Sequence, residues 1–217
     1  MGLAIIGNGG VIAEVDANHR ALRVAQRPLD VGSLGAYRAN PVTGTMAAGL
    51  AAASPIFAFR WGDATRFCLI RSVRVGIQAL TAFTAGNGLL EMFLARSFTA
   101  SDTGGGAVTI TGNNQKLKTA MGTSLVTDLR MSTTATLTAG TRTLDANAFA
   151  SLNFTVNATA NSAQLVGQQL LYDPDTASEW PPVFAQNEGF IIRATVPATG
   201  TWNGYVAVYW EELTAFP

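Results

Sequence analysis

Histidine and cysteine are almost missing from this chain: each occurs once, as His19 and Cys68. A structural zinc site draws on several His and Cys ligands, so that chemistry is excluded. A Ser-His-Asp triad would have to use His19, which stands in an arm-like N-terminal stretch, a poor place for rigid catalytic geometry. One cysteine cannot close an intrachain disulfide, and in Phe67-Cys68-Leu69-Ile70 it reads as a small buried hydrophobe. Its use fits assembly in a reducing cytosol. Charge is also scarce, at 13% of residues, against roughly 25% in an ordinary soluble protein. The 14 basic and 14 acidic residues cancel. Duplex DNA and anionic membranes reward a positive excess, so neither nucleic acid nor membrane is expected as a partner. No apolar run approaches the ~20 residues that span a bilayer. The apolar start at 1–6 stops at Gly7-Asn8-Gly9-Gly10 and has no basic region before it, unlike a secretory signal.

The remaining motifs offer little chemistry. Neither Gly7-Asn8-Gly9-Gly10 nor Gly104-Gly105-Gly106 is followed by a helix-forming run or a Gly-Lys-Ser/Thr, so both fail as phosphate loops and read as turns. Glycoside hydrolysis needs two carboxyl groups facing across a cleft. Glu211 and Glu212 are neighbours in a strand pattern and point to opposite faces. Asp173-Pro174-Asp175 falls short of the six or more oxygens of a calcium shell and reads as a solvated turn. Asn153-Phe154-Thr155 and Asn157-Ala158-Thr159 match the glycosylation pattern by coincidence in a Thr-rich strand. Trp61, Trp180, Trp202 and Trp210 read as core or interface residues ahead of a sugar platform. The expectation is a protein with no catalytic residues, no cofactor and no metal site.

What the chain does have is strand pattern. Phe57, Phe59 and Trp61 alternate with Ile56, Ala58 and Arg60. Phe67, Leu69, Val73, Val75 and Ile77 share a parity, and Arg71 interrupts the pattern, which places it at an edge or beside a carboxylate. Leu90, Met92 and Leu94 alternate with Glu91, Phe93 and Ala95. Further strands are expected at 108–111, 125–131 and 149–156. The segment 165–172 fits strand or helix, and 114–121 tolerates a helix. A final hairpin is expected from Phe190, Ile192, Ala194 and Val196 through Pro197-Ala198-Thr199-Gly200 to Val206, Val208 and Trp210. Short strands between Gly, Asn and Thr turns predict an all-β antiparallel sandwich or barrel.

Residues 1–45 differ from the body at 46–217. Short extended pieces at 3–6, 11–16 and 19–27 lead to Pro28, then to an irregular stretch with Gly32, Gly35, Pro41 and Gly44. This segment holds Arg20, Arg23, Arg27 and Arg38, with Tyr37 beside the last. Arginine pairs with carboxylates in bidentate fashion, stacks on rings and is enriched at interfaces where lysine is depleted. Twelve arginines against two lysines fit that use. The five residues define either a partner-docking arm or a solvated loop.

Three runs carry a family resemblance. They are Ala21-Leu22-Arg23-Val24 through Gly32-Ser33-Leu34-Gly35-Ala36-Tyr37-Arg38, Ile56-Phe57-Ala58-Phe59-Arg60-Trp61 with Asp63-Ala64-Thr65-Arg66, and Ala185-Gln186-Asn187-Glu188-Gly189-Phe190 leading to Gly200-Thr201-Trp202. Together with 95–101 and 113–117, they resemble β-rich virion structural proteins of tailed bacteriophages and prophages. The resemblance implies a jelly-roll type of antiparallel sandwich with an extended N-terminal arm. It implies a place in the virion, assembled in the host bacterial cytoplasm. The resemblance leaves the position in the virion open; low charge, the Arg-bearing extension and the absent catalytic groups make the first expectation a capsid decoration (cement) protein that bridges subunits of the major capsid protein. Copies of the chain would join in a symmetric homo-oligomer, with a trimer as one arrangement. The alternative is a tail-associated protein, a fibre or fibre anchor with glycan binding.

Overall fold

Alternating apolar residues between turn clusters give the strands of this fold. The computed structural model describes residues 15–16, 21–22, 34–46, 50, 52–161, 169–174 and 180–216. The strands are β1 (Val15–Asp16), β2 (Ala21–Leu22), β3 (Gly35–Ala39), β4 (Ser54–Trp61), β5 (Phe67–Ala79), β6 (Gly86–Phe98) and β7 (Gly106–Ala107). They continue with β8 (Val126–Met131), β9 (Arg142–Leu144), β10 (Ala150–Val156), β11 (Gln169–Tyr172), β12 (Val183–Phe184), β13 (Glu188–Thr195) and β14 (Trp202–Leu213). Every pairing among them is antiparallel. Helix is essentially absent among the described residues, and none there is long and apolar enough to cross a membrane.

Besides the short β1–β2 ladder there are two sheets. One has seven strands in the order β10-β6-β13-β4-β8-β7, with β9 also on β6. The other has five, in the order β11-β5-β14-β3, with β12 also on β5. Their inner faces share one core: Phe57, Phe59 and Trp61 from β4 join Ile70, Val73 and Val75 from β5 and Val206, Val208 and Trp210 from β14. The Phe59 ring lies 5.3 Å from Phe190, 5.5 Å from Trp210 and 6.4 Å from Phe184. Such stacked, tilted and edge contacts add stability beyond the area they bury. The fold is therefore all-β and sandwich-like.

Arg71 resolves the broken pattern of β5. The ladder to β14 skips it, since Tyr209 faces Ser72 and Trp210 faces Ile70. This bulge reverses the strand's parity. Cys68 and Ile70 before it and Val73, Val75 and Ile77 after it all reach the core. Arg71 itself meets the Glu211 carboxylate, Nε to Oε1 3.7 Å.

Residues 99–149 are an insertion between β6 and β10. They add β8 and β7 beside β4 and lay β9 on β6. They also cover the outer face of the seven-stranded sheet, where Leu137 packs with Ala58, Phe93, Ala95, Phe98 and Ile191. Arg142 and Asp102 form a buried ion pair there, and the Gly140 N–H donates to Asp102 Oδ1 at 2.9 Å. Sheet faces buried on both sides explain why β4 reads as nearly continuous apolar sequence.

Three expectations need correction. The final hairpin does not form: β13 pairs with β4 and β6, while β14 pairs with β3 and β5, so 196–201 crosses from one sheet to the other. Thr84 and Thr199 hydroxyls, 2.7 Å apart, and Thr81 and Thr201 hydroxyls, 2.9 Å apart, tie this crossing to the turn after β5. Residues 114–121 form turns and no helix, because Gln115 takes a φ of 63° and its carbonyl accepts from the Arg38 N–H at 2.9 Å. The strand expected at 108–111 lies earlier, at Gly106–Ala107. Of the segment 165–172, Gln169–Tyr172 is strand, and 162–168 lie outside the described residues.

Phe59 touches rings from both sheets, so Phe59→Ala should cost about 3–5 kcal/mol of unfolding free energy. Urea denaturation followed by tryptophan fluorescence checks this; a loss below about 1 kcal/mol would contradict the shared core.

Candidate functional site

The pairing of β3 and β5 on either side of β14 decides which side chains meet on the outer face of the five-stranded sheet. Tyr209 stands opposite both Arg38 and Ser72, and Ala207 stands opposite Arg74. The small Ala207 forms the floor of a depression of about 500 Å³, walled by Arg38, Arg74, Tyr209 and Leu117. Arg38 and Leu117 are exposed. Tyr209 donates to Glu211 Oε1 at 2.7 Å, and Arg71 approaches the same oxygen. Burial, the bond to Glu211 and its charge push the Tyr209 hydroxyl up to about 12, against the opposing charge of Arg71. It therefore stays protonated at neutral pH and serves as a hydrogen-bonding group. The face presents guanidinium groups and hydroxyls, a set that binds carboxylates.

The inner face of the same strand end is different. Glu212 is only 1% exposed. Its Oε1 accepts from the Ser124 hydroxyl (2.7 Å), the Leu125 N–H (3.0 Å) and the Trp210 indole N–H (3.3 Å). These bonds fasten the insertion to the core at the entry to β8. Burial raises the Glu212 carboxyl above its ordinary value, and the three donors oppose the shift. Cys68, its neighbour across the ladder, is wholly buried, and burial followed by the Glu212 charge pushes its thiol well up. That thiol stays protonated and acts as a small apolar group.

The expected docking residues separate on this frame. Arg20, Arg23 and Arg27 lie outside the described residues, as do His19 and Asp175. Tyr37 and Arg38 are neighbours in β3 and face opposite ways. Tyr37 is a core residue: its ring stacks on Trp210 at 5.5 Å and its hydroxyl donates to the Gly122 carbonyl at 3.0 Å. It is too buried to meet a partner. Arg38 is on the outer depression. Residues 34–45, assigned by sequence to the arm, run along β14 and lead into Met46, which is bridged to Trp202. Glu211 and Glu212 do point to opposite faces.

Two features escaped the sequence reading. Arg74 joins Arg38 only through the β14 register, which no local pattern encodes. Trp180, alone of the four tryptophans, is 62% exposed and lines an apolar hollow of about 460 Å³ with Pro181, Val183 and Phe216. Its position directly before Pro181-Pro182, outside any alternating run, was the available signal. Among the described residues no group of three or more His, Cys, Asp or Glu is placed to hold a metal ion. Comparisons with protein-family models, curated proteins and solved structures find no match to this chain.

A carboxyl group raised by folding holds its proton more tightly in the folded chain than in the unfolded one. Its contribution is fully present below the ordinary 4.5 and is lost as the pH rises through the folded value. Glu212→Gln keeps the acceptor and removes the buried charge. Its unfolding midpoint should exceed the parent's at neutral pH, and the gap should close as the pH falls toward 4.5. Thermal melts across that range check this; a deficit that is the same at every pH would contradict it.

Proposed function

We propose that the protein is a bacteriophage virion structural subunit, a capsid decoration (cement) protein that bridges major capsid subunits on the head. The observation carrying this reading is the winding order. Eight strands make two four-stranded leaves, β3-β14-β5-β11 and β4-β13-β6-β10. Along the chain, each step passes from one leaf to the other except β6 to β10. That alternation supports a jelly-roll reading, an architecture used by viral capsid domains, lectins and cupins. Fold alone does not assign function. The choice among these uses rests on the interior and the outer faces. Trp61, Trp202, Trp210 and four phenylalanines (57, 59, 184 and 190) fill the interior of this sandwich. Contact surfaces are what remain: the Arg38–Arg74–Tyr209 depression and the Trp180–Phe216 hollow.

On this reading the protein is not an enzyme, carries no cofactor and works in the virion after assembly in the host cytoplasm. The arginine depression docks on carboxylates of the major capsid protein. Bridging several subunits converts weak contacts into avidity. The exposed Trp180 favours a second reading, a tail-associated protein whose aromatic hollow stacks on host glycans.

The Arg38→Glu, Arg74→Glu double variant should bind protein-depleted heads at least about tenfold more weakly than the parent in co-sedimentation. Trp180→Ala should leave head binding unchanged. Full head binding by the arginine variant would contradict the docking face, and glycan binding lost in Trp180→Ala would favour the tail.

A further inference from the structure

The four long edges of the two sheets are not equally protected. On the five-stranded sheet, the β3 edge is covered by residues 115–117: the Arg38 N–H donates to Gln115 and the Leu117 N–H to Ala36. The β11 edge is only four residues long. On the seven-stranded sheet, the far side of β4 carries β8 and then β7. The opposite edge is β10, seven residues paired to β6 on one side and to no other strand among the described residues. Natural edge strands are blunted by lysine, proline, inward charges or bulges. The β10 sequence Ala150-Ser151-Leu152-Asn153-Phe154-Thr155-Val156 has none of these, and its register to β6 runs without a shift.

The strand is also chemically symmetric about Asn153. An antiparallel partner of the same sequence, centred there, sets Leu152 against Phe154, Ser151 against Thr155 and Ala150 against Val156. Every cross-strand pair is then of like kind, apolar with apolar and hydroxyl with hydroxyl. Such pairs stabilise sheets, and no like charges face each other. The faces agree with this register. Leu152 and Phe154 are partly buried against the core, whereas Ser151, Asn153 and Thr155 are exposed. The Phe154 ring is held over Gly88 of β6, where a Cβ would collide with it, so it is already positioned at the rim of the core. Pairing would extend the apolar layer across the edge.

We propose that β10 is a self-association edge. Two copies of the chain pair through it, antiparallel and centred on Asn153, to make one continuous sheet across a two-fold axis. A two-fold axis is what an isologous contact requires, since residue i meets j and j meets i. This contact is two-fold, where the resemblance allowed a trimer. It stands independently of the virion reading.

The test uses the full chain. Sedimentation velocity over a concentration series should give a two-chain species that Asn153→Lys abolishes, because that variant sets two like charges against each other on the axis. Circular dichroism should show the variant still folded, since the side chain at 153 is exposed. Asn153→Cys should form an interchain disulfide on mild oxidation, because directly opposed Cβ atoms lie about 5 Å apart. Ser151→Cys should not, because residue 151 is offset by four residues, about 13 Å, from its counterpart. The native Cys68 is buried and takes no part. A single-chain mass for the parent throughout, an unchanged mass for Asn153→Lys, or equal crosslinking by the two cysteine variants would overturn the proposal.

Discussion

The seam of aromatic rings between the two sheets is the constraint from which the rest follows. Phe59 meets Phe190 beside it in its own sheet and Phe184 and Trp210 across the core, and Trp210 also stacks with Tyr37. Burying rings of this size on both inner faces sets which parity of each strand must point inward. The β5 strand satisfies that demand only because a bulge at Arg71 switches its parity midway. The residue displaced by the bulge is then available to Glu211 on the outside. A core requirement thus produces an outer-face ion pair.

The same constraint governs where function can reside. Aromatic rings fill the core between the two sheets, and the Arg38–Arg74–Tyr209 depression lies on an outer face. One sheet face is taken by the insertion, which is attached through β8 on β4 and β9 on β6 and through Glu212 at the core, while its Arg142–Asp102 ion pair is internal to it. The other face keeps Arg38, Arg74 and Tyr209 turned outward. The proposed decoration role and the proposed two-fold contact use different surfaces, the first a sheet face and the second a sheet edge. Both can operate in one particle.

The sequence was legible where a local rule sufficed. The alternation of Phe57, Phe59 and Trp61 marked β4, Cys68 read as an inert core residue, and Arg71 signalled its carboxylate partner. Periodicity gives a strand's face but not its neighbour. That is why β13 and β14 read as a hairpin when they belong to different sheets. Tyr37 was misread for a related reason: glycines and prolines flank β3, and only the distant β14 makes it a strand. Glu212 offered no local sign of burial, because its three donors come from a loop some ninety residues earlier and from Trp210. Arg74 became part of a site only through the same long-range register.

On the proposed reading, the working part of this protein is its contact surface on a phage head. Imaging intact particles that carry a label on this chain tests it most directly. A decoration protein would place the label at regularly repeated positions over the outer shell. Label confined to the tail, or absent from purified particles, would contradict it.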